Sequence, residues 1–465
     1  MMFDMKKYYL GIDLGTSSVK LLLVTADGES IRAKCRYDAM GLDGWRNALK
    51  KAFGELREKA DLSQISAIAI SSQVGTYITD SGDVIGWNTN AGAEELVEIK
   101  AKISDEKFAE EIEMVHPNLI SYPLPRLLYI KRHYPDCKKV IMPKEFLLCE
   151  LTGNTVTDIF SQRGICHPEK KQYTQKVMEK LELNFELAPI CLPTDLAGGV
   201  TKAAAESYGL AENTPVYIGC NDFFAGLLGL GVYDCGTVFE LSGTSEHLGV
   251  ITEERMDGKF VSGRYFNGNA TYGGTKSSGM ACDFAIKTFG LEGLSADIVY
   301  NDPPIFLPYL KGERAPIFDE NAKGVFFGIS EKTTKQEMAY AVLEGVVFSL
   351  YHISKALSLE NVKELKVGGG SAGDVIMTKL RAALFGCRIV RAAENESSAL
   401  GAAMIAMIGS GRFGSFEEAI CAVVKYSHTE EPDGKLREQL LKRFAVYEQL
   451  YPSLTKQFED FSKLK

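Results

Sequence analysis

Gly-Thr-Ser occurs twice in this chain, as Gly15-Thr16-Ser17 within YYLGIDLGTSSVKLLLV and as Gly243-Thr244-Ser245 within TVFELSGTSEHLGVI. Each copy joins two apolar, β-rich runs, so each reads as strand–turn–strand. Such a turn gathers backbone N–H groups and hydroxyls at one point and makes an anion-binding nest. The copies open the two halves of a 465-residue chain. They predict a duplicated fold that grips the phosphates of a nucleotide from both sides. The length agrees, being too long for one ordinary core and suited to two domains, 1–233 and 234–465.

Composition narrows the class. With 45% apolar and 24% charged residues the chain is an ordinary globular protein. Its net charge of −9 argues against nucleic-acid or anionic-membrane partners. No apolar run approaches the roughly 20 residues of a membrane span, and no apolar leader precedes Tyr8. The ten cysteines form no CxxC pair and no Cys/His cluster with zinc spacing. Most lie in apolar runs, Cys149 in EFLLCEL for example, where reduced cysteine packs as a small hydrophobe. A reducing, cytoplasmic setting follows as the expectation.

The pattern along the chain gives strands at 8–13, 19–24 and 65–72, with SIRAKCRYD between them as a third, returning strand. The spacing of Trp45, Leu49, Phe53 and Leu56 predicts a helix over 45–60. This order yields a mixed sheet rather than a plain βαβ repeat. Residues 93–190 read as a mainly helical insertion. PVYIGCND is a strand running into a small-residue helix, and the strand–turn–strand pattern restarts at Thr237. Helices fit 277–290, 334–358 and 396–409. Residues 435–464 read as an amphipathic helix broken by Pro452.

Several residues carry candidate chemistry. Asp13 precedes the first nest; it reads either as a carboxylate holding Mg²⁺, directly or through water, or as a residue that closes the turn. Asp222 ends a strand and begins a helix. It reads either as an N-cap or as an ionised base for an attacking hydroxyl. The run Gly368-Gly369-Gly370 lets a ring or phosphate approach the backbone, or simply makes a tight turn. No GxxxxGK[ST] loop, dinucleotide fingerprint or GxSxG elbow is present, and the six histidines are isolated.

With these motifs the chain resembles the FGGY carbohydrate kinases nearly end to end. GIDLGTSSVK is similar to the family's first phosphate loop, and GCNDFFAGLLGLG to its catalytic-aspartate segment. SYPLPRLLYIKRH resembles the first signature, with Arg126 and Tyr129 where lysine and tryptophan are usual. FLPYLKGERAP, GVFFGISEKTTKQEMAYAVLE, VGGGSAGDVIMTKLRAALFG, ESSALGAA and the ending LYPSL resemble further family segments. The resemblance implies two RNase H-like domains of the actin–hexokinase–Hsp70 type, with mixed β-sheets flanked by helices and the active site in the cleft between them. It implies ATP and Mg²⁺ as cofactors and a small sugar or polyol as substrate. Asp222 would be the base and Asp13 would serve the metal. Thr16, Ser17 and Thr244 would touch phosphates; Gly279, Asp283, Gly369, Gly370 and Asp374 would line the nucleotide side.

The sugar side departs from the family pattern. Relatives carry an aspartate and an arginine after the tryptophan of this stretch, whereas here it reads Gly86-Trp87-Asn88-Thr89-Asn90-Ala91-Gly92. The preceding segment, Ser71-Ser72-Gln73-Val74-Gly75-Thr76, has no histidine. Gln73, Trp87, Asn88, Asn90 and Asp222 are the expected sugar contacts, with Trp87 reading equally as a core residue. The leading expectation is an ATP-dependent kinase for a ketopentose such as xylulose or ribulose, as a monomer or homodimer. The alternative is a nucleotide-binding relative with an altered sugar site, acting as a slow ATPase, sensor or partner-binding module.

Overall fold

A computed structural model describes residues 7–39, 41–112, 119–243, 246–256, 258–359 and 361–464. Its residues gather into two compact units. The first comprises the chain up to Tyr233 together with Gly263–Phe266 and Glu396–Lys425; the second comprises Asp234–Ser262, Asn267–Asn395 and the chain from Tyr426. A division at residue 233 therefore leaves in the second half two segments, 263–266 and 396–425, that pack with the first unit.

In the first unit, β1 (Tyr8–Leu14), β2 (Ser18–Val24) and β3 (Ser30–Arg36) form an antiparallel meander. β4 (Ile65–Ser72) and the strand Pro215–Asn221 then add in parallel on the other side of β1, and Leu196–Gly199 closes the edge antiparallel. β1 and β4 are buried along nearly their whole length, which is why they read as unbroken apolar runs. The helix α1 (Leu42–Lys59) places Trp45, Leu49, Phe53 and Leu56, all fully buried, against this sheet.

The second unit repeats the plan. Val238–Ser242, Glu246–Thr252 and Asn269–Gly274 form the antiparallel meander. Glu364–Gly369 and Arg388–Ala392 add in parallel, and Tyr426–Glu430 closes antiparallel. Val261–Arg264 is one extra strand beyond the meander. The sequence of parallel and antiparallel neighbours is the same in both sheets, so the duplication signalled by the two Gly-Thr-Ser turns extends to sheet topology.

Among the described residues the insertion over 93–190 holds five helices and several two-residue strands; four of the helices share an apolar cluster that includes Ile99, Phe108, Leu127, Ile130 and Ile165, while Pro143–Thr152 packs Phe146, Leu147, Leu148 and Leu151 into the core of the first sheet. The expected break at Pro452 does not occur, because the helix Gly434–Ser462 runs through it. Proline costs a helix interior about 3 kcal/mol, and buried Tyr447, Leu450 and Phe458 on either side outweigh that. The Ser453 hydroxyl also donates to the Gln449 carbonyl beside the gap, at 2.8 Å. All ten cysteines are free. Cys149 is exposed rather than packed as a small hydrophobe. Among the described residues no helix is long and apolar enough to cross a membrane.

Candidate active site

Sheet register builds the first cluster. Asp13 faces Lys20 across the antiparallel β1–β2 pair and Ser71 across the parallel β1–β4 pair. Its carboxylate is almost fully buried. Oδ1 accepts from the Ser71 hydroxyl at 2.9 Å, and Oδ2 pairs with the Lys20 ammonium at 2.7 Å. Burial pulls the Lys20 pKa down, but Asp13, then Glu396 and Asp222, outweigh it and hold the ammonium above its ordinary value. The turn that follows is pinned from β3's end. The Gly15 N–H donates to Ser18 O at 3.1 Å, the Tyr37 hydroxyl to Gly15 O at 2.9 Å and the Tyr37 N–H to Ser17 O at 3.1 Å. Thr16 is half-buried and Ser17 exposed.

Asp222 is the first residue of the helix Asp222–Gly229, at the end of the strand Pro215–Asn221. The cap is its neighbour: Asn221 Oδ1 accepts from the Phe224 N–H at 2.8 Å, and Asn221 Nδ2 donates to Phe160 O at 3.3 Å. The Asp222 carboxylate is therefore not needed as a cap. Its place at a helix N-terminus suggests an ionised carboxylate, but burial first, then the charge of Asp13, push its pKa up to about 7 against the opposing pull of Lys20. A carboxyl poised there suits general base work near neutral pH.

Glycines set the spacing of these groups. The helix Ser397–Gly409 packs backbone to backbone on β1 and on the Asp222 helix. A Cβ at Gly11 would stand 1.8 Å from Ala399 O, and one at Gly401 the same 1.8 Å from Ala225 O. Any side chain there would push the Asp13 strand or the Asp222 helix out of place.

The expected sugar contacts divide by exposure. Gln73 is buried at 2% exposure, and neither its Oε1 nor its Nε2 has a hydrogen-bond partner. A buried amide left this way is costly and needs a reason. Trp87 is 38% exposed, so it is no core residue. Its indole N–H donates to Thr16 Oγ1 at 3.1 Å, and its backbone N–H to Thr76 Oγ1 at 3.1 Å. Asn88 and Asn90 are exposed.

In the second unit, Gly279, Asp283, Gly370 and Asp374 come together around one cavity of about 490 Å³, with Gly243, Met280, Cys282 and Leu343 among the other walls. That volume falls within the range of small-molecule sites. Asp374 caps the helix Val375–Phe385, accepting from the Met377 N–H at 2.8 Å. Gly369 has φ of +88°, and a Cβ there would stand 1.9 Å from Ser242 O. Thr244 lies outside the described residues.

Sequence reasoning missed a buried triad behind this cavity. Arg381 Nε donates to Glu240 at 2.9 Å, and its Nη2 lies 3.2 Å from Glu246, all three side chains being fully buried. Burial, then Glu246, raise Glu240 toward about 7 while Arg381 draws it down. Glu240 and Glu246 flank the second Gly-Thr-Ser turn in the chain, so Arg381 ties its two strands together. The available signal was a charge inside an apolar element: Glu240 in TVFELS, Arg381 in MTKLRAALF. Lys20 in VKLLLV carried the same signal.

Among the described residues no group of three or more His, Cys, Asp or Glu side chains gathers as a metal cage. Both Asp13 oxygens are already engaged, so the donor set fits Mg²⁺ carried by nucleotide phosphates and reached through water better than direct ligation by Asp13.

The C-terminal and N-terminal domain profiles of the FGGY family of carbohydrate kinases match residues 241–410 and 8–229. A xylulose kinase of Bacillus subtilis (strain 168) is 26% identical, over 96% of this chain and 97% of its own. The crystal structure of gluconate kinase from Lactobacillus acidophilus superposes with a TM-score of 0.87 at 23% identity, covering 98% of this chain and 100% of its own. The ligand-bound xylulose kinase from the same organism gives 0.86 at 23%, with the same coverage.

Proposed function

The chain belongs to the FGGY family of carbohydrate kinases and is a sugar phosphotransferase with the family's two-domain fold, and from that premise we propose that it transfers the γ-phosphate of ATP to a hydroxyl of a small ketose, a ketopentose such as xylulose or ribulose. Asp222 carries the reading. It stands at the carboxyl end of the inner strand Pro215–Asn221, is relieved of capping by Asn221, and has its pKa raised to about 7. It accepts the proton of the attacking hydroxyl, and in a loose phosphoryl-transfer transition state a weak base suffices. The Gly15–Ser17 turn and Lys20 offer donors and positive charge to the phosphoryl group. Mg²⁺, when bound with the nucleotide, neutralises phosphate charge. Gly279, Asp283, Gly370 and Asp374 hold the nucleoside in the second unit's cavity. Gln73 meets a sugar hydroxyl with an amide that the fold leaves unpaired.

The likeness to a gluconate kinase makes aldonates the chief competing acceptors. A screen of pentuloses, hexuloses, polyols and aldonates with coupled ADP detection decides the acceptor. Stimulation by a pentulose above all others is the expected result. Strongest stimulation by gluconate replaces the ketopentose with an aldonate, and no stimulation by any acceptor supports the slow-ATPase alternative.

A further inference from the structure

Arg126 is the one guanidinium of the first unit that is fully buried, at 0% exposure, yet it has no carboxylate partner among the described residues. Burying such a charge is costly unless its donors are well used. Three hydrogen bonds use them, and all three end on one loop. Nη2 donates to Trp87 O at 2.7 Å and to Thr89 O at 3.1 Å, and Nη1 donates to Thr89 Oγ1 at 2.9 Å. Nε has no partner. The receiving loop is itself exposed at Trp87, Asn88, Thr89 and Asn90. A second anchor holds its far end. Gly92, at φ +93°, lies so close to Pro125 that an added Cβ would come within 3.1 Å of its backbone. Both anchors sit on the first turn of the helix Pro123–His133.

We infer that Arg126 is a positioning residue: it holds the Trp87–Asn90 loop at the height where that loop meets the sugar, and through the indole of Trp87 it ties the loop to Thr16 of the phosphate turn. The inference rests on the proposed sugar-facing role of this loop. The chemistry of the side chain suits the task. A planar fork reaches two carbonyls and a hydroxyl at once, whereas a lysine ammonium is a single point on a flexible stem. Within the loop the Thr89 N–H and hydroxyl both donate to Gly86 O, at 3.2 and 2.8 Å, and Arg126 fixes that closed turn from below. The same contacts make the sugar-facing loop and the phosphate turn one connected piece, by the Trp87 indole bond to Thr16 at 3.1 Å.

The test uses the two tryptophans. Trp45 is fully buried, so a Trp45→Phe protein leaves Trp87 as the sole indole. In that background Arg126→Lys and Arg126→Met are compared with the parent. Without any ligand, both variants are expected to shift Trp87 emission to the red and to increase its acrylamide quenching. With xylulose and with gluconate as probes, KM for the acceptor used should rise about tenfold or more, the scale on which a loosened contact shell costs activity. KM for ATP should stay within about twofold, because the phosphate turn keeps its own hydrogen bonds to Ser18 and Tyr37 when the Trp87 bond loosens. A purely structural role would lower the active fraction and kcat and leave both KM values alone. Gly92→Ala loosens the loop from its other anchor without touching Arg126. It should give the same split, and it keeps the test alive if Arg126→Met does not fold. Unchanged Trp87 emission in Arg126→Lys and Gly92→Ala overturns the inference. So does altered emission with an unaltered acceptor KM. If the parent phosphorylates neither probe, the proposed reaction fails instead, while the ligand-free emission still decides whether Arg126 holds the loop.

Discussion

Replacing Asp222 by asparagine should make the protein more stable and nearly inactive, and the gain in stability should depend on pH. The side chain keeps its shape, and the helix keeps its cap because Asn221 provides it. What changes is the charge. In the fold the carboxyl titrates at about 7 against an ordinary 3.8, burial being the first cause and Asp13 the second. The native chain therefore holds this proton more tightly than the unfolded chain does. Between pH 3.8 and about 7, raising the pH costs stability; below that window there is no penalty, and above it the penalty is complete. At about 1.4 kcal/mol per pKa unit the ceiling is roughly 4 kcal/mol, and partial exposure to solvent reduces it to about 1–3 kcal/mol. Asparagine carries no such penalty. Urea unfolding of parent and variant from pH 5 to 9, followed by circular dichroism, should show the variant's advantage growing up to pH 7 and level beyond. The parent's kcat/KM should fall about tenfold per pH unit below 7, and the variant should lose about 10² or more in turnover. A variant less stable than the parent at pH 8, or an acid limb near 4, would mean that Asp222 is an ordinary solvated carboxylate. Near-parent turnover would remove it from the chemistry.

Gln73→Leu should stabilise the ligand-free protein by about 1–2 kcal/mol, because two unpartnered buried polar atoms disappear, while raising the acceptor's KM; thermal unfolding with and without sugar checks both, and a destabilised variant with unchanged KM contradicts the assignment. Gly369→Ala and Gly370→Ala should separate fold from ligand. The first places a Cβ against Ser242 O and lowers both the unfolding temperature and ATP affinity. The second meets nothing within 4 Å, so only calorimetric ATP binding should weaken. Thr16→Val and Thr244→Val should each cost about 1–3 kcal/mol in ATP binding or turnover, the worth of a charge-assisted contact, and unchanged ATP titrations in both would refute the phosphate role of the two turns.

The elements proposed for the nucleotide side are legible because they are local backbone. A tight turn, a glycine run and a helix cap each occupy a few consecutive residues, so Gly15–Ser17, Gly368–Gly370 and Asp374 stand out in the sequence. The same holds for the core strands, whose apolar runs mark both sheets. The long-range partners were not legible. Asp13 meets Ser71 and Lys20 only through sheet register, and Arg126 reaches Trp87 only because a helix from the insertion stands under the loop. Chain order also hid the return of Glu396–Lys425 to the first unit, although the small residues of ESSALGAAMIAMIG recorded the need for close packing.

The sugar side resisted reading for a different physical reason. The contacts proposed for it are single side chains on separate elements, and what they offer a ligand depends on which of their polar atoms the fold leaves unpaired. Gln73 shows the point. Its sequence context is only a polar residue after a strand, and nothing there reveals that both ends of the amide are buried without partners. Trp87 shows the converse. An indole in a Gly-Trp-Asn stretch reads as core or as site with equal ease; its exposure removes the core reading, and its bond to Thr16 joins two segments that no local pattern connects. On the proposed function the base, the Gly15–Ser17 turn and the nucleoside cavity serve any acceptor, so Gln73 and the loop that Arg126 supports, rather than the base, are where a change of acceptor should be sought.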